Sequence, residues 1–282
     1  MLLLDIQCLH RSRSARKSAH AALGVPVARN ATAGQYWVMQ VRFAGTGDAF
    51  GSGGRWQTCI HLTARGHVLL VDCGATSLVA LKAQGLEPNA VEAVAVTHLH
   101  GDHFGGLPFL ILDGQFSRRS APLLVAGPPG TRARLAEAME TLFPGSSHVR
   151  RRFQVEVTEL AIDGTPAEVG AATVRGWQVE HACGAPPLAL RIEFGGVTFA
   201  YSGDTQWTEA LAEVARAADL FAAEAYTFDR PVRYHLDYQT LHDHLDEIRA
   251  DRVVLTHMSA DMLTRLADAS LPAAYDGMII NL

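Results

Sequence analysis

Downstream of residue 38 the chain alternates short apolar runs, glycine turns and stretches of helical spacing. Residues 38–43, 58–63 and 67–71 carry strand patterning, the last two joined as a hairpin across Ala64-Arg65-Gly66. Strands are also expected at 92–96, 152–160, 172–179, 188–194, 197–201, 220–223 and 252–255, and helices at 77–84, 107–116, 131–142, 207–217, 238–248 and 260–267. The buried run 92–96 delivers residues 97–102 at its C-terminal end, where loops commonly carry chemistry. No Pro/Ser-rich linker separates the two halves, so 38–282 is expected to form a single α/β domain. Two sheets face to face with helices outside would bury this many β runs.

Residues 1–37 read differently. From Ile6 to Phe43 there is no acidic residue, and Ser, Ala and Arg dominate the first part. This composition resembles a transit peptide or loosely attached tail; the other reading is a non-native start, with translation beginning at Met39. Either way the extension is expected to lie outside the catalytic unit.

The chain of 282 residues is 48% hydrophobic and 19% charged, which excludes disorder as its main state. Its net charge of −5 provides no global positive field for nucleic acid. No apolar run approaches the roughly 20 residues of a membrane span, so no membrane partner is expected. The basic residues follow the opening leucines, the wrong order for a secretory signal, and the four cysteines form no C-x-x-C pair. A cytoplasmic protein is expected; a homodimer is compatible with the sequence.

Thr97-His98-Leu99-His100-Gly101-Asp102-His103 places three imidazoles and a carboxylate directly after a buried strand. In an extended loop His98 and His100 point the same way and can reach one ion, while Asp102 and His103, past a flexible Gly101, turn toward a second. Imidazole with carboxylate suits zinc, with manganese or iron as competitors.

The run His98, His100, Asp102, His103 resembles the His-x-His-x-Asp-His signature of the metallo-β-lactamase superfamily. Later segments resemble its other motifs in order: His181 its isolated histidine, Ser202-Gly203-Asp204-Thr205 its Gly-Asp motif, and Thr256-His257 its final histidine. The resemblance implies a four-layer αββα sandwich with the ligands at one edge of the sheets. It also implies that His98, His100 and His181 bind one metal and Asp102, His103 and His257 the other, with Asp204 bridging. The apolar runs before residue 98, Asp204 and His257 agree with sites at strand ends.

Residues 43–55, rich in glycine, resemble the opening of ribonuclease Z-like proteins and their phosphodiesterase relatives, where glycine allows close backbone approach to the site. Glu224-Ala225-Tyr226-Thr227-Phe228 with His235 resembles the ribonuclease Z pair in which a carboxylate orients a proton-donating imidazole. Such an imidazole can protonate a departing alkoxide. Leu236 and Met258-Ser259-Ala260-Asp261 depart from the ribonuclease Z pattern, and no tRNA-gripping arm is evident, which counts against precursor tRNA. Arg118, Arg119, Arg150, Arg151 and Arg152 read as a solvated charged face. Cys183 reads as packing, and His242 and His244 as the solvent side of a helix.

The expected function is hydrolysis of a small-molecule or nucleotide phosphodiester at a dinuclear, zinc-type site by a metal-bridging hydroxide held by Asp102, with His235, oriented by Glu224, as proton donor. Alternatives are hydrolysis of an aryl sulfate, lactone, thioester or β-lactam, and, from other classes, a di-iron redox protein or a non-catalytic sensor. Ser202 and Thr205 are expected to support the ligands.

Overall fold

Period-two alternation sends every second side chain of a strand to one face, and here it divides the apolar residues into three layers. The structure, a computed structural model, describes residues 38–282; the basic extension 1–37 lies outside the described residues. In chain order the strands are β1 (Met39–Gly45), β2 (Cys59–Ala64), β3 (His67–Val71), β4 (Ala93–Ala95), β5 (Leu123–Gly127), β6 (Val155–Glu159), β7 (Ala167–Val169), β8 (Ala172–Gln178), β9 (Leu188–Phe194), β10 (Val197–Tyr201), β11 (Leu220–Glu224), β12 (Val253–Thr256) and β13 (Ile279–Asn281). Among the described residues they form two sheets, in the orders β13-β1-β2-β3-β4-β5-β6 and β12-β11-β10-β9-β8-β7.

Met39, Val41 and Phe43 of β1, Ile60 and Leu62 of β2, and Leu69 and Val71 of β3 face Leu188, Leu190 and Ile192 of β9 and Phe199 and Tyr201 of β10 across the central layer. The opposite face of the first sheet, through Leu70, Val94 and Val125, is covered by α1 (Ser77–Ala83), α3 (Leu107–Phe116) and α4 (Thr131–Leu142), while α2 (Gly101–Phe104) caps the end of β4. Ala200, Phe221, Ala223 and Leu255 turn the outer face of the second sheet toward α5 (Ala210–Ala215), α6 (Tyr238–Asp243) and α7 (Ala260–Thr264). The result is the expected αββα sandwich. Strands β3 to β6 run parallel, as do β10 to β12, so their carboxyl ends gather at one edge.

Several expectations need correction. Strands β5, β7 and β13 were not anticipated; two have three residues, too few for a periodic signal. The helix expected at 238–248 stops at Asp243, and the one expected at 207–217 shortens to six residues. Residues 101–104 are helical, not an extended loop. Arg119 is not part of a solvated face: it is buried, and its guanidinium donates to the carbonyls of Val91, Ala121 and Pro122.

Candidate metal centre

The chemistry-bearing residues leave the ends of six strands at this edge. Asp72 follows β3, His98 to His103 follow β4, His181 follows β8, Asp204 follows β10, Glu224 ends β11 and His257 follows β12. His100 is the extended residue that opens α2, and the helical turn then carries Asp102 and His103.

Asp72 organises this first segment. Its carboxylate accepts hydrogen bonds from Thr97 N (2.8 Å) and Thr97 Oγ1 (2.9 Å), and lies 2.6 Å from His103 Nδ1. His103 thereby keeps Nε2 for the site. His181 is oriented in the same manner, its Nδ1 lying 3.0 Å from the Tyr234 carbonyl. Three residues of the site, Asp72 (φ 57°), Tyr234 (φ 70°) and His257 (φ 55°), hold left-handed backbone, which costs energy in a non-glycine residue and is typical of constrained functional loops.

His98, His100 and His181 offer ring nitrogens that all lie within 4.8 Å of one another, and Asp102, His103, Asp204 and His257 form a second such group. Asp204 faces both. Its Oδ2 is 3.9 Å from Nε2 of His98 and of His181, and its Oδ1 is 3.1 Å from His103 Nε2 and 3.5 Å from His257 Nε2. Asp102 Oδ2 lies 3.2 Å from His257 Nε2 and 3.3 Å from His103 Nε2.

Electrostatics show what this pocket accepts. Burial, reinforced by His103, holds His98 neutral, well below the usual imidazole range, and its Nε2 has no hydrogen-bond partner. Burial also opposes charge on His103 and His257, but Asp204 and the neighbouring carboxylates outweigh it, raising His103 well above that range and His257 to about 10. Burial pushes the Asp204 carboxyl up, yet His103 and His257 together hold it well below the ordinary carboxylate range. Four buried carboxylates, Asp72, Asp102, Asp204 and Glu224, demand positive charge, while His100 Nδ1 and His181 Nε2 converge to 3.1 Å and His103 Nε2 and His257 Nε2 to 3.2 Å. Divalent cations would meet both conditions, and the donor set suits zinc.

Beside these groups His235 Nδ1 lies 2.5 Å from Glu224 Oε1. Glu224 Oε2 accepts from Thr205 N (2.9 Å) and Leu236 N (3.2 Å), and Ser202 Oγ accepts from Glu224 N (2.8 Å). Ser202 and Thr205 thus brace Glu224. The Tyr226 ring stacks on His235 at 4.5 Å. Burial disfavours the His235 imidazolium, but the hydrogen bond and charge of Glu224 outweigh it, so the ring holds its proton to higher pH than an ordinary histidine. His235, Asp102, Asp204 and His257 line one cavity of about 330 Å³.

The other candidates lie elsewhere. Cys183 Sγ donates to the Ala185 carbonyl, and burial pushes its thiol up. His242 is exposed, and His244 stacks on Trp207 at 4.0 Å. The glycines of the opening loop make room chiefly for their own partner segment, not for the site: a Cβ on Gly45 would lie 2.0 Å from the Gln57 carbonyl oxygen. The loop reaches the site through the Thr46 carbonyl, which accepts from His257 N. Sequence reading missed Asp72, although it ends an apolar run just as Asp204 and His257 do.

Comparison with known proteins agrees with this architecture. The family model described as anti-Pycsar protein Apyc1 matches residues 39–270. A ribonuclease Z of Mycobacterium marinum is 31% identical over 192 residues, 64% of this chain and 68% of that protein. For a ribonuclease Z of Agathobacter rectalis the identity is 29% over 145 residues, 51% of this chain, and the match spans less than half (46%) of the relative's length. Human tRNase Z, short form, superposes with a TM-score of 0.70 at 26% identity, covering 86% of this chain and 98% of that one. The metallo-β-lactamase fold protein YhfI of Bacillus subtilis shares the fold, with a TM-score of 0.68 at 18% identity, 86% of this chain and 99% of that one. With its sandwich shared in this way and residues 39–270 matched by the family model, the chain belongs to the anti-Pycsar Apyc1 family, among the ribonuclease Z-like proteins of the metallo-β-lactamase fold.

Proposed function

We propose that the protein is a phosphodiesterase working with two divalent ions, zinc foremost. His98, His100 and His181 would hold one ion and Asp102, His103 and His257 the other, with Asp204 shared through its two oxygens. Bound there, the ions would acidify an attacking water and offset the charge that builds on the phosphoryl oxygens. Asp102 would accept a hydrogen bond from that water and so orient it. His235, kept protonated by Glu224, would deliver a proton to the departing oxygen.

The observation that carries this reading is His235, held by the buried Glu224 at 2.5 Å, on the wall of the cavity that Asp102 and Asp204 also line. Cleavage of a diester expels an alkoxide that needs a proton, whereas a thioester expels a thiolate that needs none; lactone and β-lactam opening would use the same donor, and turnover of carbonyl against phosphoryl substrates separates them from the diester. The names of the ribonuclease Z relatives and of human tRNase Z point to RNA, whereas the net charge of −5 favours a small diester over precursor tRNA. The free thiols Cys59, Cys73 and Cys183 fit a reducing, cytoplasmic setting.

The test combines elemental analysis with turnover of bis(p-nitrophenyl) phosphate, p-nitrophenyl acetate, a thioester and a precursor tRNA. Two equivalents of divalent metal and preferential diester hydrolysis are expected. Turnover of the carbonyl substrates alone would overturn the phosphodiester reading, and efficient tRNA cleavage would overturn the preference for a small substrate.

A further inference from the structure

Phe50 is 84% exposed, more than any other large hydrophobic residue among the described residues. Isolated apolar residues at a surface are ordinary, but two observations set this one apart. It stands on the wall of the cavity that holds His235, Asp102 and Asp204, where it and Tyr226 supply aromatic surface beside an otherwise polar cluster. The backbone that carries it is also held in place. Asp48 Oδ1 accepts from Phe50 N (3.2 Å) and Ser52 N (2.9 Å), Asp48 Oδ2 accepts from Ser52 Oγ (2.7 Å), and Gln57 Nε2 donates to the Ala49 carbonyl (3.0 Å). Gly51 next to it takes φ 67°, closing the turn that presents the ring. The same loop is fixed to the site, since Thr46 O accepts from His257 N and Gly47 bridges to Met258.

A loop whose backbone is braced at the edge of this cavity, carrying a bare phenyl ring, provides a stacking surface at a fixed point of attachment. A diester with two small alkyl groups would leave it wet, whereas a nucleobase would cover it. Resting on the phosphodiester reading above, we propose that Phe50 is a substrate-positioning residue that stacks on the base of a nucleoside-bearing diester while the phosphoryl group lies at the histidine and carboxylate cluster. Base–aromatic stacking is sequence-tolerant, because every base has a π-face. The contact therefore selects nucleotides as a class, not one base.

Calorimetric titration of the metal-loaded protein with thymidine 5′-monophosphate and with methyl phosphate tests this without turnover. The wild type should prefer the nucleotide by about 5- to 150-fold, the range expected of one stacked base. Phe50→Ala should remove most of that preference, and Phe50→Trp should keep it. A preference unchanged in Phe50→Ala, or affinity for both ligands lost to the same extent, overturns the proposal. So does a Phe50→Ala variant that changes only its sedimentation behaviour, which would make the ring a contact between copies. A parallel assay with thymidine 5′-(p-nitrophenyl phosphate) separates the two readings: wild type that prefers the nucleotide but fails to cleave this ester sinks the phosphodiesterase reading while the stacking surface stands.

Discussion

Glu224 lies beneath two imidazoles at once, 2.5 Å from His235 Nδ1 and 3.4 Å from His257 Nδ1. If His235 is the proton donor, His235→Ala should slow hydrolysis by on the order of 10²–10⁴-fold when the leaving group is an alkoxide and far less when it is p-nitrophenolate. The donor acts only while protonated, so its contribution is present below its pKa and lost as pH rises through it. Glu224 raises that pKa; Glu224→Gln should therefore move the alkaline limb of the rate on a nucleotide diester to lower pH. Because the same carboxylate faces His257, this variant should also bind metal more weakly. A pH–rate profile with metal content measured alongside checks both effects, and an unmoved limb would remove His235 from the donor role. Asp72→Asn isolates a second buried carboxylate that orients an imidazole. Asparagine tolerates φ 57°, but its amide NH₂ cannot accept from His103 Nδ1 while its oxygen serves Thr97. Metal affinity should fall by about 10- to 100-fold, measured by competition with a chromogenic chelator; unchanged affinity would show that Asp72 serves only the backbone.

At the scale of elements, helix α2 is a four-residue turn whose position depends on contact rather than propensity. Gly74 follows β3 so closely beneath it that an added Cβ would lie 2.2 Å from the Asp102 carbonyl oxygen, whereas a Cβ on Gly101 would meet nothing within 4 Å. The sequence suggests flexibility at Gly101; the structure requires a glycine at 74 and leaves room at 101. Gly74→Ala should displace α2 with Asp102 and His103, costing about 1–3 kcal/mol together with bound metal. Gly101→Ala should leave thermal stability and metal content near wild type. Elemental analysis and thermal denaturation of the pair check this, and equal behaviour would mean that α2 is not seated by Gly74.

Over the whole molecule, the two groups of candidate ligands draw on both halves of the sandwich. His98 to His103 come from the first sheet, while His181, Asp204 and His257 follow strands of the second. Ions bound there would hold the sheets together at their shared edge. Stabilisation grows as RT ln(1 + [L]/Kd), about 4 kcal/mol at a thousandfold excess over Kd, which in a domain of this size lowers Tm on stripping by on the order of 10 °C. Calorimetry after chelator dialysis, and again after zinc is restored, should show that drop and its reversal. A Tm indifferent to metal would mean that the ions do not tie the two sheets.

Strands β1, β2, β3, β9 and β10 of the central layer were readable from their apolar patterning, and so was the histidine run after β4, because density of ligand-type side chains beyond an apolar run is a local property. His181, Asp204 and His257 were readable only through likeness to a family, since each is a single residue whose meaning depends on where a distant strand ends. What tertiary structure alone decided was convergence: that Asp204 presents one oxygen to each histidine group, that Glu224 serves two rings, and that Asp72 holds His103. Short strands such as β7 and β13 escaped notice because three residues form no period and depend on their sheet neighbours. Arg119 escaped because its carbonyl partners at Val91, Ala121 and Pro122 are brought together only by the fold. Local sequence sets which side chains can do chemistry; burial, backbone contact and the meeting of two sheets set which of them reach the same few ångströms.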